Sequence, residues 1–123
     1  MKYIGTVGNR SLSDNGSYTD ACEEAAHDQH SFDNFKRDPR YTRILEHVTP
    51  ELGSKYLDVI KDQTPEFLNK FELFKKNDLL GYPIKVDYPL VGLISPSTLR
   101  YIKILSDIVT LFGDIKYHKI AEI

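Results

Sequence analysis

The sequence predicts a mainly α fold: a cluster of short helices joined by tight turns and followed by one long apolar helix. Three observations carry that expectation. A capping side chain followed by proline recurs at Asp38-Pro39, Thr49-Pro50, Thr64-Pro65 and Ser95-Pro96. Each pairs a hydrogen-bond acceptor suited to the N-cap with a residue whose φ is already helical. Between these starts the apolar residues return at helical spacing. Only Lys-Ile-Ala-Glu-Ile, residues 119–123, reads as a strand.

The N-terminal residues 1–19 are rich in Gly, Asn and Ser, with Gly8-Asn9-Arg10-Ser11 and Ser13-Asp14-Asn15-Gly16-Ser17. They can bury little surface and are expected to form a flexible tail or linker. From Asp20 the pattern turns helical, with Ala21, Cys22, Ala25, Ala26, Phe32 and Phe35 near the helical period. After Asp38-Pro39, Tyr41, Ile44, Leu45 and Val48 fall at i, i+3, i+4 and i+7. Thr49-Pro50-Glu51 opens a helix carrying Leu52, Tyr56, Val59 and Ile60, and Thr64-Pro65-Glu66 opens one carrying Phe67, Leu68, Phe71 and Phe74. Both place an acid in the first turn, where the helix dipole favours it. The Thr-Pro-Glu echo has two copies, too few for a solenoid.

Residues 81–95 hold Pro83, Pro89, Gly81 and Gly92 and are expected to form an ordered but irregular Pro/Tyr loop. Leu99, Ile102, Leu105, Ile108, Val109 and Phe112 then mark the most apolar helix, with Gly113 as its C-terminal stop. The expected division is a tail over 1–19, a helical domain over 20–112 and an opening strand over 113–123. A lone strand is an incomplete element, so the chain is expected to be a piece of a larger protein.

Composition excludes some functions. The chain has 123 residues, 41% of them hydrophobic and 28% charged, with a formal net charge of −2. That is ordinary globular usage with no footprint for nucleic acid. The basic run Lys36, Arg37, Arg40 and Arg43 is interleaved with Asp33 and Asp38 and reads as a solvated helix end. Cys22 is the one cysteine, so no internal disulfide can form, and its Ala-rich setting predicts a buried thiol. Residues 1–7 are too short an apolar run for a signal peptide, and no stretch approaches the roughly 20 apolar residues of a membrane span. A cytoplasmic protein without membrane or nucleic-acid partners is expected.

Glu24-Ala25-Ala26-His27 has the Glu-x-x-His spacing of helical di-metal sites, but no second copy exists. His27 and His30 are expected to share one helix face. No metal site and no catalytic group is assigned. Gly5-Thr-Val-Gly-Asn lacks the Gly-Lys-Ser/Thr of a phosphate loop. Tyr82, Tyr88 and Tyr101 with Arg100 offer flat rings with polar tips, suited to stacking on a sugar or base, or to packing a loop onto the core.

The run Asp87-Tyr-Pro-Leu-Val-Gly-Leu-Ile-Ser-Pro-Ser-Thr-Leu-Arg-Tyr-Ile-Lys-Ile-Leu-Ser-Asp, with the later Leu-Phe-Gly and Ile-Ala-Glu-Ile, resembles the sugar O-methyltransferase family, whose members use S-adenosylmethionine. Phe35-Lys-Arg-Asp-Pro-Arg-Tyr-Thr-Arg-Ile-Leu-Glu-His-Val-Thr resembles it too, so the likeness covers about residues 22–123. Leu90 stands where the family usually has glycine. The resemblance implies that the C-terminal strand opens a doubly wound α/β methyltransferase sheet, whose glycine-rich cofactor loop would follow Glu122-Ile123. It implies a role for Glu122 toward the cofactor. It also implies an acceptor pocket for a sugar or glycan, shaped by Tyr88, Ser95, Thr98, Arg100 and Tyr101. The chain alone would then neither hold the cofactor tightly nor catalyse transfer. The alternative is a free-standing helical module for protein contact or homodimerisation.

Overall fold

The computed structural model describes residues 16–121. Residues 1–15 of the tail expected over 1–19, and the C-terminal pair, Glu122 and Ile123, lie outside the described residues. Within that span the chain is mainly helical, with one two-stranded antiparallel sheet. It divides into two compact units, residues 16–47 with 78–84 and residues 48–77 with 85–121.

In the first unit, α1 (Ser17–His27) starts three residues before the expected boundary at Asp20. The single helix expected to carry both His27 and His30 is broken at Asp28. The Asp28 carboxylate accepts from Ser31 N at 2.8 Å and starts a separate helix, α2 (Gln29–Asp33). The two histidines therefore lie on different helices. Cys22 is exposed rather than buried. A 3-10 turn (Phe35–Arg37) leads to α3 (Pro39–Leu45), capped by Asp38 as its sequence predicts. Tyr41 ties these pieces together, stacking on Tyr18 and meeting Phe35 edge-on. Arg40 bridges the Glu24 and Asp38 carboxylates at 2.6 Å each. Segment 78–84 closes the unit. Gly81 O accepts from Lys36 N at 2.9 Å, Tyr82 O accepts from Arg37 Nε at 2.7 Å, and the guanidinium lies 3.9 Å from the Tyr82 ring centroid.

The second unit is organised around α4 (Pro50–Gln63) and α6 (Pro96–Phe112). The Thr49 hydroxyl caps α4 by accepting from Leu52 N, and the Ser95 hydroxyl caps α6 by accepting from Ser97 N. Thr64 was expected to cap a helix and does not. Its side chain donates toward Ile60 O or pairs with the buried Ser106 hydroxyl at 2.8 Å. The chain beyond it forms a 3-10 stretch (Pro65–Lys70), the four-residue α5 (Phe71–Phe74) and another 3-10 turn (Lys75–Leu79). Leu57 and Ile60 of α4, Phe67 and Phe71, and Leu99 and Ile102 of α6 form one buried cluster.

The expected irregular loop contains a β-hairpin. Strands β1 (Val86–Tyr88) and β2 (Gly92–Ile94) pair with Val86 opposite Ile94 and Tyr88 opposite Gly92. A three-residue connection, Pro89-Leu90-Val91, turns the chain. Such turns need left-handed backbone, supplied here by Leu90 at φ 74 and Gly92 at φ 77. The position where the resembled family has glycine is thus one where glycine's freedom is used.

The helix expected to be long and apolar is α6, which packs one face on the core and leaves Leu111 and Phe112 74% and 70% exposed. Among the described residues no helix is long and apolar enough to cross a membrane. No strand forms over residues 119–121, which follow an exposed turn and have no strand beside them among the described residues to complete a ladder; the other two residues of the expected strand lie outside the described residues.

Candidate functional site

All five residues that the sequence assigns to acceptor binding lie in the second unit, around the N-terminal half of α6. Their surroundings differ. Tyr88 ends β1 and turns its ring inward, 6% exposed. Its hydroxyl donates to Pro50 O at 2.8 Å, at the start of α4. That arrangement depends on Gly53 one turn later. A Cβ there would fall 2.4 Å from the Tyr88 hydroxyl and 3.0 Å from Pro96 Cβ. The missing side chain is what lets hairpin, α4 and the start of α6 meet. Burial, and secondarily the Glu51 carboxylate, raises the Tyr88 phenol above its ordinary value. It is therefore a neutral donor at physiological pH and unsuited to act as a base.

Ser95 and Thr98 are buried as well. Ser95 is the cap of α6, and the Thr98 hydroxyl accepts from Asn77 Nδ2 at 3.0 Å. Between them the Ser97 hydroxyl receives Val48 N at 3.4 Å. The Ser-Pro-Ser-Thr run therefore gathers three chain segments around one helix start. A sugar could reach Tyr88, Ser95 or Thr98 only by displacing these internal bonds.

Arg100 and Tyr101 follow directly and are more open: Arg100 is half-buried and Tyr101 is 42% exposed. As neighbours on a helix they diverge by about 100°. Arg100 carries no ion pair among the described residues, so its charge remains available to an anionic group. Farther along α6, Asp107 is held below the ordinary carboxylate range by Lys103 and then by Gln63, at 2.6 and 2.9 Å. Glu122, the residue expected near a cofactor, lies outside the described residues.

Two surface hollows were not foreseen, and both belong to the first unit. One of about 410 Å³ is lined by Tyr18, Ala21, Cys22, Ala25, Ala26, Phe32, Phe35 and Tyr41. The sequence signal was present, since small residues at helical spacing face aromatic ones, but it was read as closed core. The other, about 310 Å³, is lined by Asp20, Glu23, Glu24, His27, Asp28 and Arg40. Its carboxylates are partly neutralised by Arg40. Among the described residues no group of three or more His, Cys, Asp or Glu side chains is arranged to hold a metal ion.

No protein-family model matches the chain, no curated protein matches it, and no solved structure matches it.

Proposed function

We propose that this chain is the helical N-terminal region of an S-adenosylmethionine-dependent sugar O-methyltransferase, one that shapes the acceptor side of the pocket and is not catalytically competent alone. The support is the sequence run over residues 87–107. Its Ser95, Ser97, Thr98 and Leu99 are almost completely buried and hold a hairpin and two helices in fixed relation. A motif spent on such a platform serves to present what lies beside it. Arg100 and Tyr101 are the side chains so presented. In this proposal Arg100 contacts an acidic or phosphorylated acceptor and Tyr101 stacks on a sugar ring, while Tyr88, Ser95 and Thr98 act through the scaffold. Nothing among the described residues forms a glycine-rich cofactor turn, so no step through the cofactor is assigned to them.

The test starts at the DNA. The reading frame beyond the codon for Ile123 is expected to encode a glycine-rich turn. The longer protein is then assayed with radiolabelled S-adenosylmethionine and a panel of neutral and anionic sugars. Arg100→Ala is expected to raise KM for an anionic acceptor while leaving cofactor binding unchanged. A stop codon directly after Ile123, or an Arg100→Ala enzyme with unaltered KM and turnover, would reject the proposal. A stop codon would favour the second reading, a helical interaction module. The observation behind that alternative is the exposed apolar flank of α6.

A further inference from the structure

The segment that closes the first unit is arranged around one arginine. Gly81 and Tyr82 both lie in the left-handed region, at φ 80 and φ 56. Glycine adopts that backbone freely, but tyrosine does so at a cost. The segment is pressed onto the 3-10 turn beside it. A Cβ on Gly81 would fall 2.7 Å from Phe35 Cε1 and 2.7 Å from Lys36 Cγ, and Pro83 is fully buried. Little of this packing serves Tyr82 itself. Its side chain is 59% exposed, and its hydroxyl has no partner among the described residues. What the strained backbone does is bring both the Tyr82 carbonyl and the Tyr82 ring onto Arg37. The carbonyl accepts from Nε at 2.7 Å, and the ring centroid lies 3.9 Å from the guanidinium carbon. Strain held in place by its surroundings is a mark of ligand clamps.

We infer that Arg37 and Tyr82 form an oxyanion site, which takes the phosphoryl group of a small phosphate ester on the free Nη1/Nη2 edge of the guanidinium. Those two nitrogens have no partner among the described residues, and Arg37 forms no ion pair there. Their N–H groups make a planar fork that matches two oxygens of one phosphoryl group. An exposed arginine ordinarily has to be ordered before it can make both bonds. Here the Nε bond fixes the rotation of the plane and the ring fixes its tilt, so that ordering is already done in the fold. The rest of the basic run shows the contrast. Arg40 is taken up by Glu24 and Asp38, whereas Arg43 forms no ion pair among the described residues but has neither ring nor carbonyl to hold it. Asp33, the nearest carboxylate before Arg37 in sequence, accepts from Gln29 instead. A phosphoryl group suits the fork better than a carboxylate because it carries more charge at neutral pH.

The site lies in the first unit and does not rest on the methyltransferase proposal. Its test is nuclear magnetic resonance on the 15N-labelled 123-residue chain, titrated with inorganic phosphate at neutral pH while sodium chloride holds the ionic strength constant. The Arg37 Nε–H signal and the Gly81 and Tyr82 amides are expected to shift together and to saturate in the millimolar range. The Arg43 Nε–H signal should not follow them. Acetate should bind more weakly than phosphate. Arg37→Lys keeps the charge but loses the fork and the stack, and is expected to weaken binding about tenfold, read at the two amides. Tyr82→Asn keeps the carbonyl and tolerates the left-handed backbone, but removes the ring. It is expected to weaken binding about fivefold with an unchanged circular dichroism spectrum. Tyr82→Phe should bind as the parent does. Shifts that stay linear in phosphate, an Arg43 signal that moves in step with Arg37, or Arg37→Lys and Tyr82→Asn chains that bind like the parent overturn the site. Acetate binding as tightly as phosphate overturns the assignment to a phosphoryl group.

Discussion

Replacing Gly53 by alanine tests the packing at the centre of the candidate site, because two effects of known sign oppose each other there. In an exposed helix interior the change stabilises by about 1 kcal/mol, through helix propensity alone. In α4 the new Cβ would lie 2.4 Å from the Tyr88 hydroxyl, 3.2 Å from its Cζ and 3.0 Å from Pro96 Cβ. Relief requires the phenol to move by roughly an ångström, since ordinary contacts begin near 3.4 Å. Tyr88 is 6% exposed and bonded to Pro50 O, so the shift strains a closed core and breaks that bond. Overpacking costs about 1–3 kcal/mol and the hydrogen bond about 1 kcal/mol. Against the propensity gain the net loss is about 1–3 kcal/mol. Urea unfolding followed by circular dichroism measures it as a lower midpoint at unchanged slope. In a Tyr88→Phe background the nearest atom is gone, so Gly53→Ala should cost less by about 1 kcal/mol, a coupling read from the double-mutant cycle. A Gly53→Ala protein as stable as the parent, or two costs that simply add, would refute the reasoning.

Three further outcomes are expected. Leu90→Gly should stabilise by about 0.5–1 kcal/mol, because it removes about 1–2 kcal/mol of left-handed strain and returns about 0.5–1 kcal/mol of glycine entropy; Leu90 is 79% exposed, so little burial is lost, and calorimetry reads the change as a higher Tm. Ser106→Ala should cost about 1–2 kcal/mol in urea unfolding, since it leaves the buried Thr64 hydroxyl and Gln63 Nε2 short of a partner between α4 and α6. Asp107 is held below its ordinary value by Lys103 and Gln63, so its contribution is fully present above about pH 4 and fades as pH falls through the lower folded value; Asp107→Asn should flatten the acid limb of a stability-versus-pH curve and leave the neutral-to-alkaline region parallel to the parent.

What could be read in the sequence was the local chemistry. Asp38, Thr49 and Ser95 cap helices because the acceptor, the proline and the receiving N–H all lie within a few residues. Thr64 carries the same signature and fails, because its hydroxyl is taken up by Ile60 O and by Ser106, 42 residues away. No local pattern reports that competitor. Asp28 is the converse case. It is a sound capping residue, overlooked because the apolar period seemed to run through it. The hairpin was hidden by Pro89 and by a left-handed Leu90, which no propensity would assign to leucine. The Val-Asp-Tyr and Gly-Leu-Ile alternation that pairs the strands is too short to outweigh two prolines and two glycines. Residues 119–121 show the limit from the other side, since apolar residues alone do not make a strand without an edge to pair with.

The candidate site was harder to read for a reason that lies in the side chains themselves. Serine, threonine and tyrosine suit a sugar pocket because they donate and accept short hydrogen bonds, and the same property makes them caps and buried ties. Sequence cannot separate these uses, because the partner that decides between them is distant: Asn77 for Thr98 and Pro50 for Tyr88. Arginine behaves differently. Burying an unpaired guanidinium is costly, so an arginine with no internal carboxylate stays at the surface, and its charge is free for something outside the fold. Arg100 is the one member of the predicted set in that position. The acceptor proposal therefore turns on this residue. Loss of discrimination toward anionic sugars on Arg100→Ala in the longer protein would mark a ligand contact. A variant that kept that discrimination would leave Arg100 as an ordinary solvated charge, and the platform beneath it as a structural feature alone.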